Sequence, residues 1–179
     1  MKGMSFRTWR VLAEAKGELW FDLGKMTRPS YVGKKETPEN IDAMTMGQML
    51  KLSSVADGWS VFFEVCGELM QMTEKEVDEA NAAEVVRFVG WAVAELKKLN
   101  DRFARVKSSR TKEEKQAGIE RLKFGPFGLV DWYAQRMGIT NHDDVMGVPA
   151  LRVWQCMMMD NETREFEKRL AKVYREQRK

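Results

Sequence analysis

Histidine occurs once, cysteine twice and proline four times in this chain of 179 residues. The one imidazole, His142, lies in Asn141-His142-Asp143-Asp144. Helical neighbours at i+1 and i+2 point away from each other, and with no second histidine the usual transition-metal sets cannot be completed. The acidic residues beside it suit a helix first turn, where carboxylates complement the dipole. Cys66 and Cys156 have neither CxxC nor Cys/His spacing and fall on apolar helical faces, so they read as buried free thiols in a reducing compartment. Ser53 and Ser54 have no histidine near them, and no glycine run has phosphate-loop spacing. No nucleophile, base and orienting group can be assembled, so no catalytic residue, cofactor or metal is expected. The chain reads as non-enzymatic.

Other absences narrow the class further. No apolar run approaches the ~20 residues of a membrane span. The first residues carry Lys2, Arg7 and Arg10 among their apolar positions and lack a signal-peptide core. A cytoplasmic protein without membrane contact is the expectation. No period-2 alternation is long enough for a confident strand, and scarce proline suits long helices, since proline removes a backbone donor and clashes with the preceding turn. The fold class predicted is all-α: one domain over residues 1–179, built as a compact multi-helix bundle or as two stacked helical lobes joined by a charged segment.

What is present supports that reading. Apolar residues make up 44% and charged residues 32% of the chain, with 13 methionines and six tryptophans. Ser5 can cap a helix through Phe6, Trp9 and Ala13, extended or restarted to Leu19, Trp20 and Leu23. Gly24–Asn40 is rich in Gly, Pro, Lys and Thr and predicts a flexible arm. Thr45 caps a short helix with Met46, Met49 and Leu50. Trp59, Phe62, Phe63, Cys66, Leu69 and Met70 form one helical stripe. Thr73–Glu76 is a capping box, and Asn81–Glu84 repeats its logic before the longest helix, about residues 82–107, whose first half is apolar on most sides. Residues 107–124 are charge-rich, with a further box at Thr111–Glu114, and read as a solvated helix or as a hinge between lobes. Pro126 opens a helix stopped by Gly138. Asn141 caps a short helix, Pro149 opens another, and Asp160 or Asn161 opens the last.

One pattern occurs twice. Thr73, Glu76 and Val77 lead into the helix beginning near Ala83–Val86; Thr140, Asp144 and Val145 lead into the one at Pro149–Val153. Each is a capped short helix running into a longer amphipathic one. Both copies are expected to pack equivalently, their valines set against the helix that follows.

Function should then reside on surfaces. The tryptophans Trp59, Trp91, Trp132 and Trp154 punctuate apolar faces and read as core, with one or two free to line a groove. Phe166, Leu170 and Val173 form a stripe on a final helix otherwise dense in Arg, Lys and Glu. Trp154, Phe166, Leu170, Val173 and Tyr174 are the candidate partner-binding residues, the partner being the protein's own body, a second copy in a homo-oligomer, or a protein client. The net charge is only +3. The basic run Lys107, Arg110, Lys112, Lys115, Arg121 and Lys123 is diluted by Glu113, Glu114 and Glu120, which reads as a solvated surface rather than a nucleic-acid face.

The stretch from Met46 through Lys172 resembles the phage tail assembly chaperone family. The resemblance rests on Met72-Thr73 with Glu76-Val77 leading to Glu84-Val85-Val86. It continues in Phe127-Gly128-Leu129-Val130, which leads through Gly138-Ile139-Thr140 and Val145 with Val148-Pro149-Ala150 into Val153-Trp154, before the charged tail at Glu165–Tyr174. It implies an all-α phage or prophage protein of virion morphogenesis that binds a tape-measure-like client before the tail tube polymerises around it. The first ~40 residues have no counterpart in that resemblance. The rival function is a nucleic-acid-binding adaptor, packaging or regulatory, using the basic segment and the last helix.

Overall fold

Hydroxyl and amide side chains set where the helices start. The computed structural model describes residues 3–16, 26–55, 58–107 and 109–177. Within them run α1 (Phe6–Lys16), a hairpin of β1 (Tyr31–Val32) and β2 (Lys35–Glu36), α2 (Met46–Ser54), α3 (Ser60–Met70), α4 (Glu74–Glu79), α5 (Ala82–Arg105), α6 (Lys112–Gln116), a 3-10 turn (Ile119–Arg121), α7 (Gly125–Met137), α8 (His142–Met146) and α9 (Ala150–Gln177). The fold is all-α. Thr45, Thr73 and Thr111 each accept the N3 amide while Gln48, Glu76 and Glu114 reach back to the cap's own N–H, three complete capping boxes. The expected Leu19–Leu23 extension of α1 lies outside the described residues.

Asn81 departs from that pattern. Its side chain caps α5 through the Ala83 amide, but the Glu84 carboxylate turns away and accepts the Gly33 N–H at 3.0 Å. That bond belongs to a set holding residues 26–40 against the helices, where composition alone suggested a free arm. Arg87 reaches the Thr27 carbonyl and hydroxyl, Lys35 meets the Gln71 carbonyl and Glu76, and Arg28 binds the carbonyl and hydroxyl of Thr37. The Thr37 hydroxyl in turn donates to the Pro29 carbonyl, and both Thr37 and Val32 are buried. The ties come from side chains up to 60 positions away, which local composition does not reveal.

The doubled pattern is a structural repeat of four elements rather than two. Phe6 N–H donates to the Ala80 carbonyl at 2.8 Å and Ala82 N–H to Met4 at 2.9 Å. Likewise Met46 N–H donates to Val148 at 2.8 Å and Ala150 N–H to Met44 at 2.8 Å. Each pair of bonds is an antiparallel bridge, Ser5 with Asn81 and Thr45 with Pro149, joining the start of a first helix to the start of a long one. Fully buried residues correspond too: Phe6, Val77, Ala82 and Val85 in one unit, Met46, Val145, Ala150 and Val153 in the other. The short helix packs on the first helix of its unit, α4 on α1 and α8 on α2, as well as on the helix preceding it. The main neighbours of each short helix are thus the first helix of its unit and the one before it, where the sequence pointed to the helix that follows.

The two units are threaded through each other. One comprises α1, α3, α4 and α5, the other α2, α7, α8 and α9. The charged segment at 107–124 joins α5 of the first unit to α7 of the second, while α2, far to its N-terminal side, packs on α8 and α9. The first half of α5 is the central element, with Val85, Val86, Phe88, Val89, Gly90 and Ala92 buried, while farther along only Leu96 and Leu99 are. Phe6, Trp9, Trp59, Phe62 and Phe63 form an aromatic cluster between α1 and α3, with Phe6 at ring-centroid distances of 5.6, 6.1, 5.1 and 5.9 Å from the other four.

Candidate functional site, an exposed apolar seam on the last helix

α9 runs unbroken from Ala150 to Gln177, so neither Asp160 nor Asn161 starts a new helix. Both side chains have partners elsewhere and leave their own backbone alone. Asp160 takes a two-oxygen contact from the Arg136 Nε at 3.0 Å, and Asn161 donates to the Lys107 carbonyl at 3.5 Å. The Asp160 carboxylate, by its hydrogen bond, pushes the Arg136 guanidinium above its ordinary value.

The first turns of α9 enter the core through Ala150 and Val153, with Cys156 packed against it, and farther along the helix docks by polar groups. Ser109 donates its N–H and hydroxyl to the two Glu165 oxygens at 2.9 and 2.7 Å, and the Lys168 ammonium meets the Ser109 carbonyl. At about 100° per residue, Asn161, Glu165 and Lys168 share one face. Met159, Thr163, Phe166, Leu170 and Val173 share the opposite one.

That opposite face is open. Met159 is 63% exposed, Phe166 54%, Tyr174 56% and Val173 46%, and Leu170 is half-buried. The spacing 159, 163, 166, 170, 173 alternates four and three, which is the seam of a heptad and keeps one line of side chains facing a partner helix. The structure therefore brings Phe166, Leu170 and Val173 together, with Tyr174 on the edge. Trp154 is separated from them: it lies on the docked side, under the Arg102 guanidinium at 5.9 Å, with its indole N–H enclosed. Met159 and Thr163 were absent from the expected set. The four-three count run back from Phe166 reaches Thr163 and then Met159, of which only Met159 precedes the expected helix start at Asp160 or Asn161.

His142 pairs not with its sequence neighbours but with Asp131 on α7, Nε2 to Oδ1 at 3.0 Å, and its ring meets Phe127 at 5.1 Å. Both partners are partly exposed, and among the described residues no three His, Cys, Asp or Glu side chains converge as a metal set would require. Cys66 is fully buried, and burial pushes its thiol up to about 12. No described helix is long and apolar enough to cross a membrane.

A concavity lies beside α9 and is lined by its docked side. Where α3 lies along α5 in one unit, α7 is tied to α9 in the other by Arg136 and Asp160, and Asp160 also lines a cavity of about 360 Å³ with Leu129, Trp132 and Met157 on its walls. A second cavity of about 630 Å³ adjoins it, sharing Val106 and Arg164, and is lined by Lys107, Arg110 and Lys115. Compared with protein-family models, curated proteins and solved structures, the chain matches none of them.

Proposed function

We propose that this protein is a non-enzymatic chaperone of the phage tail assembly type, holding a tape-measure-like helical client along the seam of α9. The observation that carries the reading is the outward face of Met159, Phe166, Leu170 and Val173, left open while the helix docks by its polar side. Exposed apolar side chains at heptad spacing suit a second helix with matching periodicity, and burying each contributes on the order of 1.5–3 kcal/mol. A chaperone of this kind needs an apolar surface that its own fold leaves uncovered, on an element whose backbone is already ordered. The rest of the resemblance, from Met72 to Trp154, falls on the repeat's helix starts and supports the scaffold rather than the client contact.

The test is co-expression with a tape-measure segment whose apolar residues repeat in heptads. The wild-type protein should keep the segment soluble and co-purify with it. The double substitution Phe166→Ala and Leu170→Ala should retain helicity by circular dichroism yet lose co-purification. Equal capture by wild type and variant would remove the seam from the function, and capture by neither would remove the client. Sedimentation velocity on the free protein separates client binding from pairing of two α9 seams.

A further inference from the structure

We propose that the two adjoining cavities beside α9 form one groove that binds a protein segment carrying an acidic residue next to bulky apolar ones. The groove is distinct from the seam, because Asn161 and Arg164 line it from the docked side of the helix. Its two halves differ in chemistry. One is walled by Leu129, Trp132, Met157 and Val106. The other carries four cationic side chains, Lys107, Arg110, Lys115 and Arg164.

Those cations are available in unequal degree. Arg110 pairs with Glu120 at 3.3 Å, whereas Lys107, Lys115 and Arg164 form no ion pair among the described residues. Among the described residues, Glu114 is the one carboxylate lining that half, and it is engaged in its capping box, accepting the Thr111 N–H at 2.8 Å. Four cations against the one Glu114 carboxylate leave the lining of this half net positive, which favours an anion, since charge-assisted hydrogen bonds are about twice as strong as neutral ones. The adjoining apolar half, in a volume of the size that holds side chains of a ligand, favours an apolar group attached to that anion.

Charge placement selects a peptide over a nucleic acid. A phosphodiester strand needs cations spread along its track. Here they are confined to one end: the carboxylate of Asp160 lines the other half, and Glu120 is already paired with Arg110. A second or third phosphate would meet those carboxylates. A single carboxylate followed by leucine-like side chains would not.

The experiment is fluorescence anisotropy with a short labelled peptide holding one glutamate–leucine–leucine cluster in a glycine–serine frame. Saturable binding is expected, weakened at least about tenfold when glutamine replaces the glutamate or when the protein carries Lys115→Ala with Arg164→Ala. Lys112→Ala with Lys123→Ala, the same charge change outside the groove, should leave it unaltered. Equal loss in the two double variants would reduce the binding to net charge and overturn the proposal, as would absence of saturation. Tighter binding of an oligothymidylate, falling steeply with salt, would make the site one for nucleic acid instead. Phe166 and Leu170 are intact in every variant here, so failure in this assay and failure of client capture are separate results.

Discussion

Cys66 and Cys156 divide by burial, and their chemistry should divide with them. Cys66 is enclosed and its thiol held near 12, so almost none is thiolate at neutral pH, whereas Cys156 is only partly covered. Titration of the native protein with a disulfide reagent should modify one thiol per chain and, in denaturant, two; rapid modification of both in the native state would place Cys66 nearer the surface. Glu76 offers a second reading at this scale. Hydrogen bonds from the Thr73 amide and hydroxyl, at 2.7 and 3.0 Å, and then the Lys35 charge, hold its carboxyl below the usual glutamate range. The unfolded chain therefore binds this proton more readily than the folded one. The stabilisation is complete above the ordinary glutamate value, about 4.3, and is lost as pH falls through the lower folded value. Glu76→Gln should destabilise at neutral pH, and the gap from wild type, measured by denaturant unfolding, should close in acid. Such partners were legible where they are local, as in Thr73–Glu76. They were illegible for Glu84, which leaves its own helix start to bind Gly33, and for His142, whose partner Asp131 is on another helix.

Elements compare well because the repeat supplies an internal control. α3 ends at Gln71 and α7 at Gly138, both in the left-handed region, with φ of 53° and 68°. A side chain there costs roughly 1–2 kcal/mol, and glycine escapes that cost. Gln71→Gly should therefore raise stability by about 1 kcal/mol, and Gly138→Gln lower it by a similar amount, both read from denaturant midpoints at constant slope. The contact Gln71 makes with Lys35 is through its carbonyl and survives the change. Stripe periodicity and capping located most helices, because both are written within a dozen residues. The errors fell where a good capping residue had a better partner, as at Asp160 and Asn161 inside α9. The candidate site suffered in part from the same cause: a helix begun too late hides Met159, the first position of the heptad count. The cavities beside α9 were beyond reach, since Arg164 and Lys115 are brought together only by tertiary packing.

At the scale of the molecule, the order of elements matters more than their number. A chain cut in the charged segment, giving residues 1–107 and 124–179, separates α2 from the α8 and α9 surfaces that bury Met46 and Met49. Neither piece should fold cooperatively alone, and mixing them should restore helicity and a single unfolding transition. A first fragment that melts cooperatively by itself would show that the α1, α3, α4 and α5 unit is self-sufficient. The doubled short-helix pattern was visible in the sequence, and so were α1 and α2, but not that these two belong to the repeat, because Ser5-Phe6 and Thr45-Met46 share only a hydroxyl cap and a buried residue. Threading also sets a schedule for biosynthesis. Met46 bonds to Val148, about a hundred residues later in the chain. At translation rates of about 5–20 residues per second, α2 must wait roughly 5–20 seconds after leaving the ribosome before its seat exists. For that interval α2 has α3 beside it but not the Val148 segment that pairs with Met46, so a chain paused in its second half would present a partly covered, sticky nascent helix to whatever else is being made nearby.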